Sequence, residues 1–420
     1  MRNRLAPSVD NCSSGSSGEV IAVDVAAAKA VSAVTAVKGS ETIALLQAKG
    51  RVLAAGLGAG LDLPPFDTSA MDGYAVSLGS FAGLGPWRIP VAGRIAAGEN
   101  LTQTFGEAVR VLTGSQVPMG FDAVIMQEKC RRDDDTIVID ERPRPGRNIR
   151  RAGEDVTLGE RLLESGDVLS PQKLALLAAQ GYGKVDVIRR VRIGLISTGT
   201  ELREPGDPLM PGQIFNSNRV MLRAGLEACS WAEVLDFGIV PDNRDAIART
   251  LADAASRCDA VVTTGGVSAS EEDHVSWAVD SSGGKLDVLK VAMRPGKPVK
   301  VGRLDDCLFL GLPGNPNAAL VTFRMIALPA LRKLAGMVET DPIWNSAVAN
   351  FTYEKRLGRT EYVPVQRTGD NVGGKIEVTM LGRGSSASLR SLADAHGIAM
   401  LPPDLTKIER KAVLRIEWLD

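Results

Sequence analysis

The feature that most constrains the fold is a regular alternation of strand and helix patterns between residues 191 and 334. The last helix in this series is predicted from Pro316 to about Leu334, with Asn315 as its cap. The alternation predicts an α/β domain with a mostly parallel sheet covered by helices. Ligands of such sheets bind beyond the carboxyl ends of the strands. The predicted strands are the apolar runs at 192–197, 233–238, 260–264, 286–292 and 307–310.

The texture of the 420-residue chain changes on both sides of this region, and the length favours about two to four domains. An Ala/Val/Leu-rich stretch at 20–55 predicts two helices, and Ser170-Pro171 begins a further predicted helix. Short apolar runs separated by Gly and Pro predict a small β-rich domain at 61–151. Similar runs predict a small all-β domain at 338–420.

Composition excludes several classes of protein. With 49 basic and 50 acidic residues the net charge is −1, so no global field draws the chain to nucleic acid or to a membrane. Five scattered cysteines without a CxxC pair argue against a disulfide framework and a zinc site, and they fit a cytoplasmic protein. Residues 1–18 are rich in Ser and Gly and lack the apolar core of a signal peptide, so we expect a disordered tail.

Polar or Gly-rich loops follow the first three predicted strands, and each loop carries a carboxylate. Gly265 and Gly266 let a ligand approach the backbone, and a helix start beyond them would aim N–H groups at an anion. These glycines favour a phosphate cradle, with ordinary turn chemistry as the alternative. The loops are STGTEL at 197–202, VPDN at 240–243 and TTGGVSASEEDH at 263–274, and their carboxylates are Glu201, Asp242 and Asp273.

Two further loops extend this site. The segment KVAMRPGKPVK at 290–300 predicts a local anion site, although a solvated basic face explains the same pattern. The segment GLPGNPNAAL at 311–320 has two prolines that stiffen the turn before a helix, with a simple helix cap as the alternative. The cations of the first segment are Lys290, Arg294, Lys297 and Lys300.

Carboxylates beside a phosphate cradle indicate metal-assisted chemistry, because Mg²⁺ takes one or two acid ligands together with phosphate oxygens. Glu201, Asp242 and Asp273 are the candidate metal ligands, although Asp242 could instead cap the helix that follows it. His274 is more often structural than catalytic in such a place. The chain has no Walker, HExxH or GxSxG sequence, so it gives no support to a P-loop NTPase, zinc protease or serine hydrolase.

The stretch PPFDTSAMDGYAV at 64–76 lies in the predicted β-rich domain. Pro64 and Pro65 fix their own φ, and Asp72-Gly73 is a strong turn signal before an apolar run. The stretch therefore holds Asp72 in a fixed place, although a plain turn residue explains that position too.

Taken together, SAMDGYAV, TGGVS, MRPGKP and GLPGNP, in this order and at these separations, resemble the molybdopterin molybdenumtransferase family, which includes the C-terminal part of gephyrin. The resemblance runs from about Val20 to the C-terminus. It implies an enzyme of molybdenum cofactor biosynthesis that inserts molybdate into adenylylated molybdopterin. Cleavage of the pyrophosphate link, assisted by Mg²⁺, would release AMP with the finished cofactor.

The resemblance also implies an architecture. The family is a homodimer with its active site between subunits, and each subunit has a central three-layer α/β molybdopterin-binding domain. Molybdopterin adenylyltransferase, molybdoenzymes and their chaperones are the partners to expect. The implied domains are a tail at 1–18, a linker domain at 19–60 plus 152–188, a β-rich domain at 61–151, an α/β domain at 189–337 and a C-terminal β barrel at 338–420.

Site residues carry over from the family's motifs position by position. The implied catalytic residues are Asp273, Glu201, Asp242, Lys290, Arg294 and Asp72. The implied substrate-binding residues are Thr113, Asp155, Gly265, Gly266, Ser268, Lys297, Pro313, Gly314, Asn315 and Pro316. Asp72, Thr113 and Asp155 would meet the α/β domain of the other subunit across a shared cleft.

The chain departs from the family pattern at a few positions. Family members often carry Lys where Arg294 stands, Gly where Ser270 stands and Tyr where His274 stands. Asn317-Ala318 replaces the commoner Val-Ser. Arg294 keeps the charge but offers a planar fork, so the geometry around an oxyanion would shift.

Two alternatives to this function differ in class. One is a different enzyme on the same α/β fold, either a molybdopterin adenylyltransferase or a competence-damage-type nucleotide pyrophosphatase. That enzyme is not expected to carry both flanking β domains. The other is a non-catalytic scaffold of the gephyrin kind, which predicts loss of the acids, yet Glu201, Asp242 and Asp273 are all present.

Overall fold

The computed structural model describes residues 20–99, 108–266, 274–372, 374–382 and 387–419. The predicted tail at 1–18 lies outside these ranges. The chain divides into two compact units. The first, here called the α/β–barrel unit, comprises Met1–Glu41, Gly50–Val52 and Val187–Asp420, and the second, the β-rich unit, comprises Thr42–Lys49 and Leu53–Asp186.

Strands and helices follow one another through both units. The strands are β1 Val20–Ile21, β2 Ser40–Ala44, β3 Leu57–Gly58, β4 Thr68–Ser69, β5 Gly73–Val76, β6 Trp87–Ile95, β7 Ala108–Val111, β8 Ala123–Met126, β9 Cys130–Asp133, β10 Thr136–Ile139, β11 Ile149–Arg150, β12 Arg161–Leu163, β13 Lys184–Ile188, β14 Val191–Thr198, β15 Leu202–Arg203, β16 Ile214–Phe215, β17 Ala232–Val240, β18 Ala260–Thr264, β19 Lys285–Val291, β20 Met293–Arg294, β21 Val299–Leu304, β22 Cys307–Leu312, β23 Asn345–Ala349, β24 Tyr353–Glu354, β25 Thr360–Val372, β26 Lys375–Met380, β27 Gly397–Leu401, β28 Lys407–Ile408 and β29 Val413–Trp418. The helices are α1 Val23–Ser32, α2 Pro171–Ala179, α3 Ser217–Glu227, α4 Arg244–Arg257, α5 His274–Ser281, α6 Pro316–Thr322, α7 Leu328–Leu334 and α8 Leu389–Ala393.

A seven-stranded sheet in the order β1-β19-β21-β22-β18-β14-β17 forms the centre of the α/β–barrel unit. Strands β17, β14, β18 and β22 are parallel neighbours. Strand β21 runs against both β22 and β19, which turns β19 back into the direction of the parallel strands. The predicted α/β fold is confirmed.

Helices cover both faces of this sheet. Side chains on a strand alternate between its two faces, so a strand that is apolar throughout needs a covering layer on each face. Ile193 and Leu195 on β14 pack in one core with α1, α3 and α7. Ile196, the next residue, packs in the other core with α4 and α5. Val262 and Val261 on β18 divide between the two cores in the same way. The domain therefore has the three layers that the resemblance implies.

The predicted long helix after residue 316 is continuous but irregular. It runs as α6, a wider π turn at Phe323–Ala327, and α7. Pro329 lies in the first turn of α7, where its missing N–H removes a hydrogen bond that a regular helix would need. The wider turn is a local adjustment of the kind that accompanies such interruptions.

A closed five-stranded barrel forms the C-terminal part of the same unit. Strands β25, β26, β23, β29 and β27 are neighbours in that order, and β27 pairs back with β25. Closure leaves these strands without free edges. The predicted β barrel is confirmed.

The β-rich unit is built on a six-stranded sheet in the order β8-β5-β7-β6-β10-β9. Strand β5 carries the end of the SAMDGYAV segment and lies between β7 and β8. Helix α2 begins as predicted, because the Ser170 hydroxyl accepts the Lys173 N–H and Pro171 opens the first turn.

The prediction of two helices at 20–55 is right for the first and wrong for the second. Helix α1 is present, but Ser40–Ala44 is strand β2 and Leu45–Gln47 is a single 3₁₀ turn. The β-branched pair Thr42-Ile43 explains the difference, since such side chains fit an extended backbone better than a helix.

Strand β1 and helix α1 join the seven-stranded sheet, whereas the implied linker domain groups them with the residues up to 60. Val20 pairs with Lys290 on β19, and Ala26 and Ala30 on α1 are fully buried in the sheet's core. The small Ala side chains let α1 lie close to its neighbours. Its sequence shows an apolar face without showing which surface that face covers.

We expect Asp259→Asn to lower the free energy of unfolding by about 2 kcal/mol at pH 7, because charged hydrogen bonds are worth about 1.5–3 kcal/mol. Both terminal guanidinium nitrogens of Arg189, Nη1 and Nη2, donate to Asp259 at 2.7 Å. Burial alone would raise the pKa of Asp259, but these bonds, a bond from the Arg192 backbone and the Arg189 charge hold it below its usual value.

A carboxyl with a lowered folded pKa stabilises the fold above its unfolded pKa, about 3.9, and loses that effect as the pH falls through the folded value. The difference between the two proteins should therefore shrink below about pH 4. Denaturant unfolding across pH measures it. Asp253→Asn is the control, because the Asp253–Arg257 pair is exposed and is worth under about 0.5 kcal/mol. Equal losses in the two variants would contradict the prediction.

Candidate functional site

Loops that follow five strands share one edge of the seven-stranded sheet. Strands β17, β14, β18 and β22 run in the same direction, and so does β19. Their carboxyl ends therefore meet at the same edge. The sequence predicts that this edge carries the candidate acids, the glycine loop and the cations.

The two acids at 201 and 242 lie on neighbouring loops, after β14 and β17. The Thr200 backbone N–H donates to Asp242 Oδ2 at 3.0 Å, and the Asp242 N–H donates to Thr200 Oγ1 at 3.2 Å. This reciprocal pair joins the loops. A Cβ added to Gly199 would lie 2.6 Å from Glu201 Oε2, so the Glu201 carboxylate folds back over that glycine.

The alternative interpretation of Asp242 as a helix cap is wrong. Asn243 is the N-cap of α4, and its Oδ1 accepts the Ala246 N–H at 3.0 Å. The Asp242 side chain is exposed, and its Oδ2 faces the Thr200 loop instead. Its carboxylate therefore remains available to a ligand at the sheet edge.

Gly265 and Gly266 are held against the end of β14. Both have positive φ, at +86° and +62°. A Cβ on Gly265 would lie 2.3 Å from Thr198 O, and one on Gly266 would lie 2.7 Å from Thr198 Oγ1. No L side chain fits either position without moving the loop. The glycine pair is thus required by the contact between two strand ends.

Lys300 supports this loop from within the protein. It is 1% exposed on β21, and its Nζ donates to Gly266 O at 3.3 Å. For this residue the solvated-face alternative is wrong, and the segment 290–300 is in part the start of a buried strand.

The Pro-Gly-Asn-Pro turn after β22 packs beside the glycine loop. A Cβ on Gly314 would lie 3.7 Å from Gly265 Cα, and the Asn218 side chain donates to Gly314 O at 2.6 Å. Asn315 stands at the N-cap of α6, but its side chain makes no capping hydrogen bond. Pro313 and Pro316 enclose the turn and are half-buried.

The remaining cations lie at the end of β19 and beyond it, with Lys290 on the strand itself. Lys290, Arg294 and Lys297 are exposed. Arg294 lies on β20, and its Nη1 is 3.5 Å from Glu361 Oε2 on barrel strand β25. Among the candidate residues that the structure describes, the charges therefore separate along the sheet edge. Acids follow β14 and β17, glycine-rich turns follow β18 and β22, and cations lie at the end of β19 and beyond it.

This edge is long enough for an extended ligand. Five strand intervals separate β17 from β19 in the sheet. At about 4.8 Å each, they span about 24 Å.

In the β-rich unit, the structure brings together Asp72 and Thr113, two of the residues implied there. Asp72 Oδ1 accepts both the backbone N–H and the hydroxyl of Thr113, each at 2.7 Å. The Thr113 hydroxyl and backbone bonds hold the pKa of Asp72 below its usual value. Asp72 is thus an exposed, ionised carboxylate with a fixed orientation.

Asp155, the third residue implied there, has a different environment. It is exposed, and its backbone N–H donates to Leu63 O at 3.0 Å. Within the part of the chain that the structure describes, no hydrogen bond joins its carboxylate to Asp72 or Thr113. Its implied role stays a prediction.

Asp273 and Ser268 lie outside the described residues, as does Ser270. Over the described ranges, no group of three or more His, Cys, Asp or Glu is placed to hold a metal. His274 opens α5, and its Nδ1 is buried without a hydrogen-bond partner among the residues described.

Sequence reasoning missed residues that act through others. A threonine before an acid, an asparagine inside a helix and a glutamate inside a strand match no sequence motif that would mark them as functional. Lys300 stands in the quoted basic segment, but only its burial separates it from the other cations. The missed residues are Thr198, Thr200, Asn218 and Glu361.

Family models match most of the chain. The MoeA N-terminal region (domain I and II) matches residues 21–181, the probable molybdopterin binding domain matches 194–333, and the MoeA C-terminal region (domain IV) matches 346–411. The molybdopterin molybdenumtransferase of Haemophilus influenzae is 40% identical over 77% of this chain and 80% of its own length. The chain belongs to the molybdopterin molybdenumtransferase (MoeA) family.

Other comparisons cover nearly the whole chain. Molybdopterin molybdenumtransferase 2 of Mycobacterium tuberculosis is 36% identical over 89% of this chain and 94% of its own length. The crystal structure of the molybdopterin biosynthesis MoeA protein from Pyrococcus horikoshii superposes with a TM-score of 0.79 at 29% identity, covering 95% of this chain and 100% of that one. As a MoeA family member, the chain is an enzyme, a transferase of molybdenum cofactor biosynthesis.

One further result concerns membranes. Among the described residues, no helix is both long enough and apolar enough to cross a bilayer.

We expect Gly265→Ala to lower the free energy of unfolding by about 3 kcal/mol, because the new methyl group must displace the Thr198 carbonyl. Gly283→Ala is the matched control, since Gly283 has φ +76° with nothing within 4 Å of an added Cβ. It should cost only the backbone strain of about 1 kcal/mol. Denaturant unfolding measures the loss of stability in the two variants. If Gly265→Ala loses no more stability than Gly283→Ala, the contact between Gly265 and Thr198 is contradicted.

We expect Thr113→Val to raise the pKa of Asp72, because the variant removes the hydroxyl donor and keeps the backbone one. A carboxyl ¹³C NMR titration measures the change. Asp67 is an internal control, since the Ala152 backbone and Arg151 lower its pKa without Thr113. An Asp72 titration that stays unchanged would show that the hydroxyl does not stabilise the carboxylate.

Proposed function

We propose that the chain inserts molybdenum from molybdate into adenylylated molybdopterin, cleaving the pyrophosphate link and releasing AMP. The relatives' names supply the transfer of molybdenum to molybdopterin. The order of acids, glycine loops and cations along one sheet edge is the observation that carries the proposal. It suits an elongated ligand with a diphosphate at its centre.

The glycine loops suit the diphosphate. Gly314 leaves the backbone open to close approach by phosphate oxygens, since the nearest atom to an added Cβ there is Gly265 Cα at 3.7 Å. The buried Lys300 beside Gly266 favours negative charge there. Because the whole chain carries almost no net charge, this local arrangement must supply the attraction.

The acids suit Mg²⁺. Glu201 and Asp242 present hard oxygen donors from adjacent loops, and the Thr200 contacts fix the orientation of Asp242. We assign these two and Asp273 as the residues that would hold the ion. When bound, Mg²⁺ would neutralise charge on the diphosphate as the P–O bond breaks.

The cations of the chain would assist the cleavage of the same P–O bond. An oxygen of molybdate or water attacks the phosphorus on the molybdopterin side of the link and forms a new P–O bond. The phosphoanhydride bond breaks, and AMP leaves with the electron pair of that bond. Lys290 and Arg294 hold molybdate and phosphate oxygens and stabilise the negative charge that grows on them. Lys297 extends this positive surface.

We further propose that two copies of the chain form a homodimer in which Asp72, Thr113 and Asp155 of one subunit complete the cleft of the other. The support is the resemblance together with the Asp72–Thr113 pair, which keeps one carboxylate ionised at the surface. The substrate would come from a molybdopterin adenylyltransferase, and the product would pass to molybdoenzymes or their chaperones in the cytoplasm.

The alternatives on the same fold lack a matching observation. An adenylyltransferase or nucleotide pyrophosphatase does not account for the regions at 21–181 and 346–411, which match MoeA models. A non-catalytic scaffold does not account for the ordered Thr200–Asp242 pair.

A turnover assay tests the proposal. With Mg²⁺, molybdate and adenylylated molybdopterin, the purified protein should release AMP and form active cofactor. Asp242→Asn and Asp273→Asn should each slow AMP release about 100-fold, since they remove charge that stabilises the reaction. Tungstate in place of molybdate tests the choice of metal.

Asp245→Asn is the matched control, because Asp245 lies in the first turn of α4, three residues after Asp242. It should keep full activity. AMP release at the unsubstituted rate by Asp242→Asn and Asp273→Asn would reject the metal role, and an absence of AMP in every sample would reject the reaction.

A further inference from the structure

The segment that carries Arg294 is tied to the barrel by its backbone. Strand β20 pairs in parallel with the start of β25, so that Met293 lies beside Thr360 and Arg294 beside Glu361. The Thr360 N–H also donates to Ala292 O at 2.9 Å. The barrel thus fixes the path of a loop that belongs to the candidate site.

Glu361 is a buried acid at this junction. It is 2% exposed, and its Oε2 accepts the Tyr353 hydroxyl at 3.1 Å and lies 3.5 Å from Arg294 Nη1. Its Oε1 is buried without a hydrogen-bond partner among the described residues. Burying an ionised carboxylate is costly unless cations and donors compensate it, so the nearby Arg294 charge stabilises it.

A second cation near Glu361 is already committed to other groups. Lys355 is buried, and its Nζ donates to the carbonyl oxygens of Arg356, Pro402 and Leu405 at 2.9–3.2 Å. Lys355 therefore holds barrel loops together. Arg294 pairs with Glu361 and is about half exposed.

We propose that Glu361 is a positioning residue for the reaction: a barrel carboxylate that orients the Arg294 guanidinium toward the substrate anion. The inference rests on the proposed role of Arg294 in binding molybdate or phosphate. It gives the C-terminal barrel a part in the chemistry of the α/β domain.

An arginine suits this arrangement better than a lysine. The guanidinium is a rigid planar fork with five N–H donors, so an ion pair at one terminal nitrogen restrains the position of the group and leaves other donors of the same plane to bind an anion. An ammonium held by Glu361 would have no such plane. The Arg294 departure from the family pattern and the buried Glu361 form one unit.

The chain offers a matched control. Glu417 is another buried barrel carboxylate, 3% exposed, and it pairs with Arg324 of the irregular helix at 2.8 Å. Like Glu361, it has one buried oxygen without a partner among the described residues. It joins barrel and α/β domain in the same manner but belongs to a different contact.

Steady-state kinetics of the full-length protein tests the inference. Arg294→Ala first identifies the substrate, molybdate or adenylylated molybdopterin, whose KM depends on Arg294. We expect Glu361→Gln to raise that KM about 10-fold and to leave the other KM unchanged, because small misplacements of a binding group weaken binding strongly. Glu417→Gln should lower the unfolding temperature and change neither KM.

A double variant shows whether Glu361 acts through Arg294. In an Arg294→Ala background, Glu361→Gln should add less than about 2-fold to the KM, since the group it orients is gone. Tyr353→Phe, which removes only the hydroxyl donor to Glu361, should raise the same KM about 2- to 3-fold. It keeps the inference testable if Glu361→Gln fails to fold.

Three outcomes overturn the inference. If Arg294→Ala changes neither KM, the proposed role of Arg294 fails and the inference fails with it. If Arg294→Ala has its effect but Glu361→Gln, or Tyr353→Phe where that variant alone folds, behaves like Glu417→Gln, the proposed function stands and the inference is wrong. A full additional 10-fold effect in the double variant would show that Glu361 acts independently of Arg294.

Discussion

The candidate site depends on the contact between Gly265 and the Thr198 carbonyl, which leaves no room for a side chain. That contact brings the ends of two parallel strands together. Gly314 then packs against Gly265, and Lys300 reaches the carbonyl of Gly266 from inside. The loop proposed to bind phosphate is therefore set by backbone packing at the sheet edge.

Charge separation is the second organising feature. The chain is nearly neutral as a whole, yet acids gather at one end of the sheet edge and cations at the other. Asp242 is oriented by Thr200, and Arg294 is paired with Glu361 of the barrel. Asp242 and Arg294 thus each have a neighbour that restrains them, which lowers the cost of ordering these two groups when a ligand binds.

Much of this architecture was predictable, and the reasons differ between elements. Apolar runs and turn residues predict β14, β18 and α2 because local chemistry decides them. The second helix at 20–55 was mistaken because the β-branched pair Thr42-Ile43 outweighs the helical spacing around it. The cap role considered for Asp242 failed because Asn243, one residue later, supplies the cap. Which of two neighbouring residues caps a helix is decided by the backbone geometry at the helix start.

The sequence by itself determined the family, the α/β and barrel folds and the loops at the strand ends, because motifs and periodicity are local properties of a chain. Tertiary structure alone decided which groups act together. In the sequence Lys300 cannot be distinguished from its basic neighbours, and only its burial beside Gly266 separates it from them. Nothing in the sequence marks Glu361 as functional, and only the pairing of β25 with β20 places it beside Arg294. Contacts between residues distant in sequence arise from packing, which no local pattern encodes.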